Sequence, residues 1–574
     1  GSLNAGYQAG QFHKYQAGFS FNHRTARVNV FGSYQHNNTP AGKVMSARRT
    51  LLDSSFAQQG RIKEQSGTHN LRFGTDFFIH PRHTLGILLS GNLGTTRIFN
   101  TSYTAIGRLG EATARLLEAD NRYDAHRRHG TTNLNYLYAG TKSRSLAINA
   151  DYGFYDLNGD QLQPNIYYKG DDRTPLHSVT YQMISPSEIG IYSLKADYEQ
   201  PWGVGKLAVG GKTAFVHTNN DFRRYTIGSG GRELDRERSN RFVYREAIHA
   251  AYLNYNRQWK HLGLQAGLRA ENTVMEGTST GNRQQGGQYV PYDSVIGQNY
   301  LNLFPSMALN YSRTPAHQFS LTLSRRIDRP DYQDLNPFEL KVDDYLVQKG
   351  NAYLRPQYTS GITLAWVHRQ KLNTSLGYSR VRNLIVWLSD TTELSKSVMT
   401  KENLAAQEVL SFNVSYPFTF KSYSAFVNLN TTWSKFRADF GPGRTIKEEA
   451  PGLTVYLQQS LKFAKTWTAE LSGFYNAPSL QYGNMRVKGF WSADAGVQRK
   501  LAGDKATLKL TISDVFNTLQ FRVRSSFAGQ VLNYTSKIDT RQVKLSLTFR
   551  LGSSDVKSAR QRNSGAEEEM KRVH

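Results

Sequence analysis

Few stretches of this 574-residue chain have residue types and spacing that point to chemistry. GTSTG at 277–281 has the G-x-S-x-G spacing of a hydrolase nucleophile. It sits where a strand enters a polar stretch, without the helix that a nucleophile elbow needs. His80 and His83 in HPRH, and His126 and His129 in HRRH, offer ring nitrogens to a metal. Each pair reads as part of a loop or turn beside arginine, with no carboxylate at fixed spacing. GVGKLAVGG at 203–211 is followed by a strand, so it is no dinucleotide cradle. Its glycines suit a tight turn and a close strand approach instead. With no cysteine, the chain has no thiolate nucleophile, thiolate metal site or disulfide. We read no catalytic residue, no bound metal and no cofactor, and expect a protein that is not an enzyme.

The stretch DRPDYQDLNPF, residues 328–338, is the best candidate for contact with a substrate. Pro330 and Pro337 bias Arg329 and Asn336 toward extended backbone. Arg325, Arg326 and Arg329 are suited to grip a carboxylate or phosphate, and Tyr332 to stack on a ring or sugar. The competing reading is that the motif shapes its own loop and braces a neighbouring part by salt bridges.

These residues must be held by strands. Tyr192, Leu194, Ala196 and Tyr198 alternate with Ser193, Lys195, Asp197 and Glu199, the two-residue period of a half-buried strand. Ten such pairs recur across short connections. Between them lie long polar stretches at 37–67, 95–129, 157–186, 219–245, 276–299 and 327–357, which read as loops. Short and long connections alternate, so all the short turns fall at one end of an up-and-down sheet. With an opening strand near 2–8 and a closing one at 541–551, the sequence predicts about 22 strands.

The fold class expected is all-β: a transmembrane antiparallel up-and-down β-barrel with short periplasmic turns and long extracellular loops. No apolar run approaches the ~18 residues of a membrane helix. In hydrocarbon each unpaired backbone group costs several kcal/mol, so a sheet there must close on itself. In the closing strand Val543, Leu545, Leu547, Phe549 and Leu551 would face lipid, and Lys544 and Arg550 a wet lumen. Trp202, Trp259, Trp366 and Trp467 lie in or beside short turns and suit a membrane-interface belt.

Residues 321–357, LTLSRRIDRPDYQDLNPFELKVDDYLVQKGNAYLRPQ, closely resemble a signature in the barrels of TonB-dependent outer-membrane receptors, especially the Bacteroidetes type. The matching elements include RRIDRP, LNPF and GNAYLRP. LRFGTDFF at 71–78, LFPSMALNYS at 303–312, ISDVFNT at 512–518 and the tail SARQRNSGAEEEMKRVH add to the resemblance, which spans essentially the whole chain. It implies active import across the outer membrane of a Gram-negative bacterium, with a globular plug filling the barrel and the TonB complex pulling on it. The expected organisation is a barrel over 1–552 and a charged periplasmic tail over 553–574, with the plug and signal peptide outside this sequence.

The expected partners are outer-membrane lipid and lipopolysaccharide, the TonB complex acting through a plug, a possible surface lipoprotein and a bulky nutrient. The formal charge of +26 reads as basic side chains spread over wet faces. No dense basic run with interleaved aromatics points to nucleic acid. Two alternatives stay open: a plugless passive pore, and a soluble multi-domain β-protein that binds carbohydrate or acts in adhesion.

Overall fold

A computed structural model describes the chain except residues 142, 171–172, 344–345, 394–395, 442–443, 482–484, 528, 553–556, 561, 563 and 574. Ten antiparallel hairpins and the two terminal strands form one closed barrel of 22 strands. Closure is direct: Ser2–Ala9 pairs with Gln542–Arg550, with Ala5 opposite Leu547. The closing strand pairs on its other side with Ala506–Ser513, so neither terminal strand leaves an open edge. Alternation sets the two faces of the wall. Val543, Leu545, Leu547 and Leu551 are exposed on the outside, as are Leu3, Phe19, Phe73, Leu268 and Leu364. No described helix is long and apolar enough to cross a membrane.

The tight turn expected at 203–204 is present. Gly203 has φ +57, and a Cβ on Gly205 would lie 2.6 Å from the Asn256 carbonyl oxygen. Only glycine fits that approach without displacing backbone.

The long connections depart from the sequence reading. Much of 37–67, 95–129 and 276–299 is strand, because Ser54–His80, His83–Arg108, Leu262–Gln285 and Gln288–Thr314 run on without a break. A 27-residue strand is about 90 Å long at ~3.3 Å per residue, against a hydrocarbon core of ~30 Å. The wall therefore continues well outside the bilayer. There the outer face meets water instead of lipid, so composition turns more polar while backbone pairing persists. Shorter strands complete this outer extension: Ala41–Leu51 joins Ser54–His80 to Gln530–Ile538, bridging above the short first strands.

Candidate functional site

Three neighbouring strands build the inner wall where the chemistry gathers. Along Gly205–Gly228, Asn240–Gln258 and Leu262–Gln285, the outward positions carry Phe215, Leu253, Leu268 and Val274. The intervening inward positions carry Lys212 and Val216, Tyr244 and Glu246, and Glu271 and Met275, all buried. Ionic groups thus occupy the inner face of a wall whose outer face carries large apolar side chains.

Two segments fold in against this wall. The first, residues 329–356, leaves the barrel wall after Asp328 and returns at Gln357, its direct pairing partner; on the way, Leu346–Lys349 pairs in parallel with Lys396–Phe420. Tyr332, Leu335, Ala352 and Leu354 pack on Ile191, Val216 and Tyr244. Phe338 stacks on Phe222 at 4.5 Å, and Gln163 Nε2 donates to the Lys341 carbonyl at 2.9 Å. The far side of the segment is tied to the strand Lys396–Phe420. Lys401 Nζ binds Asp334 at 2.6 Å, and the Arg355 amide donates to Asn403 Oδ1 at 2.6 Å. The segment therefore lies as a chord across the lumen.

It holds three of the five substrate-contact candidates, Arg329, Tyr332 and Asn336, and the strand His317–Asp328 that leads into it carries Arg325 and Arg326. Arg329 is buried and bonds the Glu271 carboxylate and Thr273 Oγ1. Burial lowers its pKa, and Glu246 opposes that shift. Tyr332 is 2% exposed, with the Arg572 guanidinium 4.1 Å over its ring. Burial pushes its hydroxyl pKa far up. Asn336 is also buried. Arg325 donates to the Leu303 carbonyl at 3.1 Å and sits 5.1 Å over the Tyr358 ring. Arg326 is exposed.

The second segment is the C-terminal one. Expected to hang below the barrel as a charged periplasmic tail, its described residues instead climb the inner wall, because their charges find opposite partners there. The Lys557 carbonyl accepts from Asn22 Nδ2 at 3.1 Å. Arg562 pairs with Asp76 at 2.8 Å, and Ser564 Oγ and the Gly565 amide donate to Asp151 at 2.9 and 2.8 Å. Lys212 pairs with Glu569 at 2.8 Å, and Arg572 with Glu246 at 2.5 Å. Burial works to lower the Arg572 pKa, but Glu246 outweighs it and holds the pKa well above the ordinary value.

A third feature lies near the outer mouth, on the opposite flank. An apolar cavity of about 160 Å³ is lined by Phe56, Trp387, Leu388, Met399, Ile446 and Phe527, among others. Phe440 and Phe527 approach at 4.9 Å and close one side of it. Sequence reasoning passes over these residues because Phe56, Met399, Ile446 and Phe527 stand singly in polar surroundings, and nothing in the spacing of Trp387 and Leu388, in the apolar run 384–388, marks a site. It also misses Asp76, Asp151, Lys212, Glu246 and Glu271, although polar residues at the inward positions of apolar strands are a readable signal.

The remaining sequence candidates fall as follows. Trp202 and Trp259 are exposed beside periplasmic turns, and Trp366 and Trp467 are half-buried at the same end. Ser279 of GTSTG is buried inside a continuous strand and accepts from Asn240 Nδ2 at 3.1 Å. His126 and His129 lie in the strand Arg115–Ala139 and not in a loop, and an i,i+3 spacing there turns them to opposite faces. His83 Nδ1 lies 2.8 Å from the Tyr136 hydroxyl. Among the described residues no group of three or more His, Asp or Glu side chains is placed to hold a metal.

The sequence profile of the outer membrane protein β-barrel family matches residues 139–549. A search of curated proteins finds no match. Among solved structures, the ferric yersiniabactin uptake receptor FyuA from Yersinia pestis superposes with a TM-score of 0.63 at 10% identity, over 96% of this chain and 80% of that one. The siderophore receptor PiuA from Acinetobacter baumannii gives 0.60 at 11%, over 96% and 81%. The copper transporter OprC gives 0.60 at 12%, also over 96% and 81%. These neighbours are outer-membrane receptors and transporters, not enzymes, and they share the barrel fold expected from residues 321–357.

Proposed function

Because the chain belongs to the outer membrane protein β-barrel family and resides in the outer membrane of a Gram-negative bacterium, we propose that it is the barrel of a TonB-dependent receptor importing a bulky nutrient. Capture takes place at the outer mouth, and passage through the lumen is gated by a plug on which the TonB complex pulls. The observation that carries this reading is the pairing of an outer apolar cavity with a segment folded across the lumen beneath the outer extension. A cavity lined by Trp387, Phe56, Met399 and Phe527 suits a ligand with flat or apolar surface. Among the structural neighbours are a ferric yersiniabactin uptake receptor, a siderophore receptor and a copper transporter, which favours a metal chelate as cargo.

The segment 329–356 weighs against a permanently open passive pore, since it is anchored on two flanks of the lumen. Substrate contact by Tyr332 or Asn336 requires their cover to move. Arg326, already exposed, is available without any such change. Trp202, Trp259, Trp366 and Trp467 would sit at the periplasmic membrane interface, with lipid against the apolar outer face and lipopolysaccharide around the outer rim.

The reading is tested by titrating the detergent-solubilised chain with a ferric tris-catecholate, with cobalamin and with a linear oligosaccharide, following tryptophan fluorescence. Saturable quenching by one of them, lost in Trp387→Ala, is expected. Absence of saturable binding by all three, together with a steady ohmic current in planar bilayers, would overturn the receptor reading in favour of a passive pore.

A further inference from the structure

We propose that the inner wall holds a built seat for a polypeptide segment, that its occupant is the chain's own C-terminal stretch, with contacts from Arg562 to Val573, and that docking there obstructs the lumen. The inference goes beyond the receptor reading and is argued from the lumen; a plug that fills the same lumen would have to displace this segment from the wall.

Charge order is the first support. Moving along the segment, Arg562 meets Asp76, Ser564 and Gly565 meet Asp151, Glu569 meets Lys212, and Arg572 meets Glu246. Those wall groups stand on Ser54–His80, Ser145–Lys169, Gly205–Gly228 and Asn240–Gln258, in the same order around the barrel. Slipping the segment by one wall group would set Glu569 against Asp151 and Arg572 against Lys212. The pairs are also dry: Arg562 and Asp76 are 3% and 2% exposed, and Lys212 and Glu569 are 4% and 1%. Buried charges of this kind persist only with a partner in place.

Shape is the second support, and it runs both ways. A Cβ on Gly565 would lie 2.7 Å from Ser193 Oγ and 3.1 Å from Lys195 Cβ, so the segment is thinned where it crosses that strand. On the wall, a Cβ on Gly86 would lie 2.8 Å from Arg562 Nη2, and one on Gly153 would lie 3.0 Å from Met570 Cε. Ala566, Met570 and Val573 add an apolar anchor against the cluster of Ile191, Val216 and Tyr244.

The segment also grips the chord across the lumen. Arg572 Nε donates to the Pro330 carbonyl at 2.9 Å, and the Arg572 carbonyl accepts from the Tyr332 amide at 3.3 Å. Release of the C-terminal segment therefore uncovers Tyr332 and loosens residues 330–332 in the same event.

The chain has no cysteine, so full-length Ser193→Cys/Gly565→Cys carries one potential disulfide, at a separation that suits the bond. Mild oxidation of the folded protein in detergent, with folding checked by heat-modifiable gel mobility, is expected to close it nearly completely. Adding Arg562→Glu and Arg572→Glu should slow closure by about tenfold or more. In the unsubstituted chain, hydrogen exchange at the Gly565 amide should be slow, which tests docking even if the cysteine variant misfolds. Fast exchange there, or no disulfide in a folded variant, would overturn the seat. In planar bilayers the Arg562→Glu/Arg572→Glu chain should conduct several-fold more than the oxidised cysteine variant. Equal conductance, despite a closed disulfide, would overturn obstruction. Neither failure bears on nutrient capture at the outer cavity.

Discussion

Leu547 and Glu246 lie on strands built by the same two-residue alternation, one on the outside of the closing strand and one on the inside of Asn240–Gln258. The outside asks only for apolar surface, since lipid tails meet any such side chain equally well. The inside asks for a particular charge at a particular position, because Glu246 is 4% exposed and its partner Arg572 comes from 326 residues away. One face is therefore generic and the other specific. Substitutions should separate the two, through the kind of change each face tolerates as much as through its cost.

The largest effect is expected from Glu246→Ala. It leaves the buried Arg572 guanidinium without its carboxylate, a loss of about 3–5 kcal/mol for such pairs. Hydrogen exchange across residues 564–573 should rise sharply while the barrel strands stay protected. Protection unchanged over those residues would erase the distinction between the faces. Leu547→Arg comes next, at about 2–4 kcal/mol if the residue lies near the bilayer midplane. The readout is urea unfolding in lipid vesicles. The same substitution at inward-facing Ser546 should cost much less.

Leu547→Ile sharpens the contrast from the other side. A volume-conserving apolar swap facing lipid should cost under about 1.5 kcal/mol by the same unfolding assay, whereas Lys212→Arg, equally conservative on paper, should perturb docking at Glu569. The smallest effect concerns pH. Burial raises the Glu568 pKa, but Lys212 and Arg269 outweigh it and hold the carboxyl below its usual range. A depressed carboxyl pKa contributes stability above the unfolded value of about 4.3, and that contribution is lost as pH falls through the lower folded value. Docking of 567–573 should therefore loosen only below about pH 4. The effect should be modest, since the Glu568 side chain is 61% exposed and screened by water.

The barrel is legible in the sequence because its signal is local. Val543 to Leu551 announce a strand by themselves, and ten short turns fix the order of the rest. The outer extension is not legible, because a strand whose outer face meets water instead of lipid loses hydropathy contrast, and 276–299 then reads as loop. The C-terminal seat is hidden for a different reason. A run such as AEEEMKR reads as a solvated tail until Lys212 and Glu246 are known to face it, and that juxtaposition exists only once the barrel has closed. Arg329 and Tyr332 fall between these cases. Their types point to ligand contact, while their burial against Glu271 and Arg572 makes them part of the lumen's internal bracing.

Site-directed spin labelling tests the two-faced wall most directly. In a chain without native cysteine, single Cys variants at 543 to 547, reconstituted in bilayers, would each report one position. Labels at 543, 545 and 547 should be accessible to oxygen and shielded from a water-soluble nickel chelate, with the reverse at 544 and 546. Equal access of the nickel chelate to all five would contradict a barrel set in lipid.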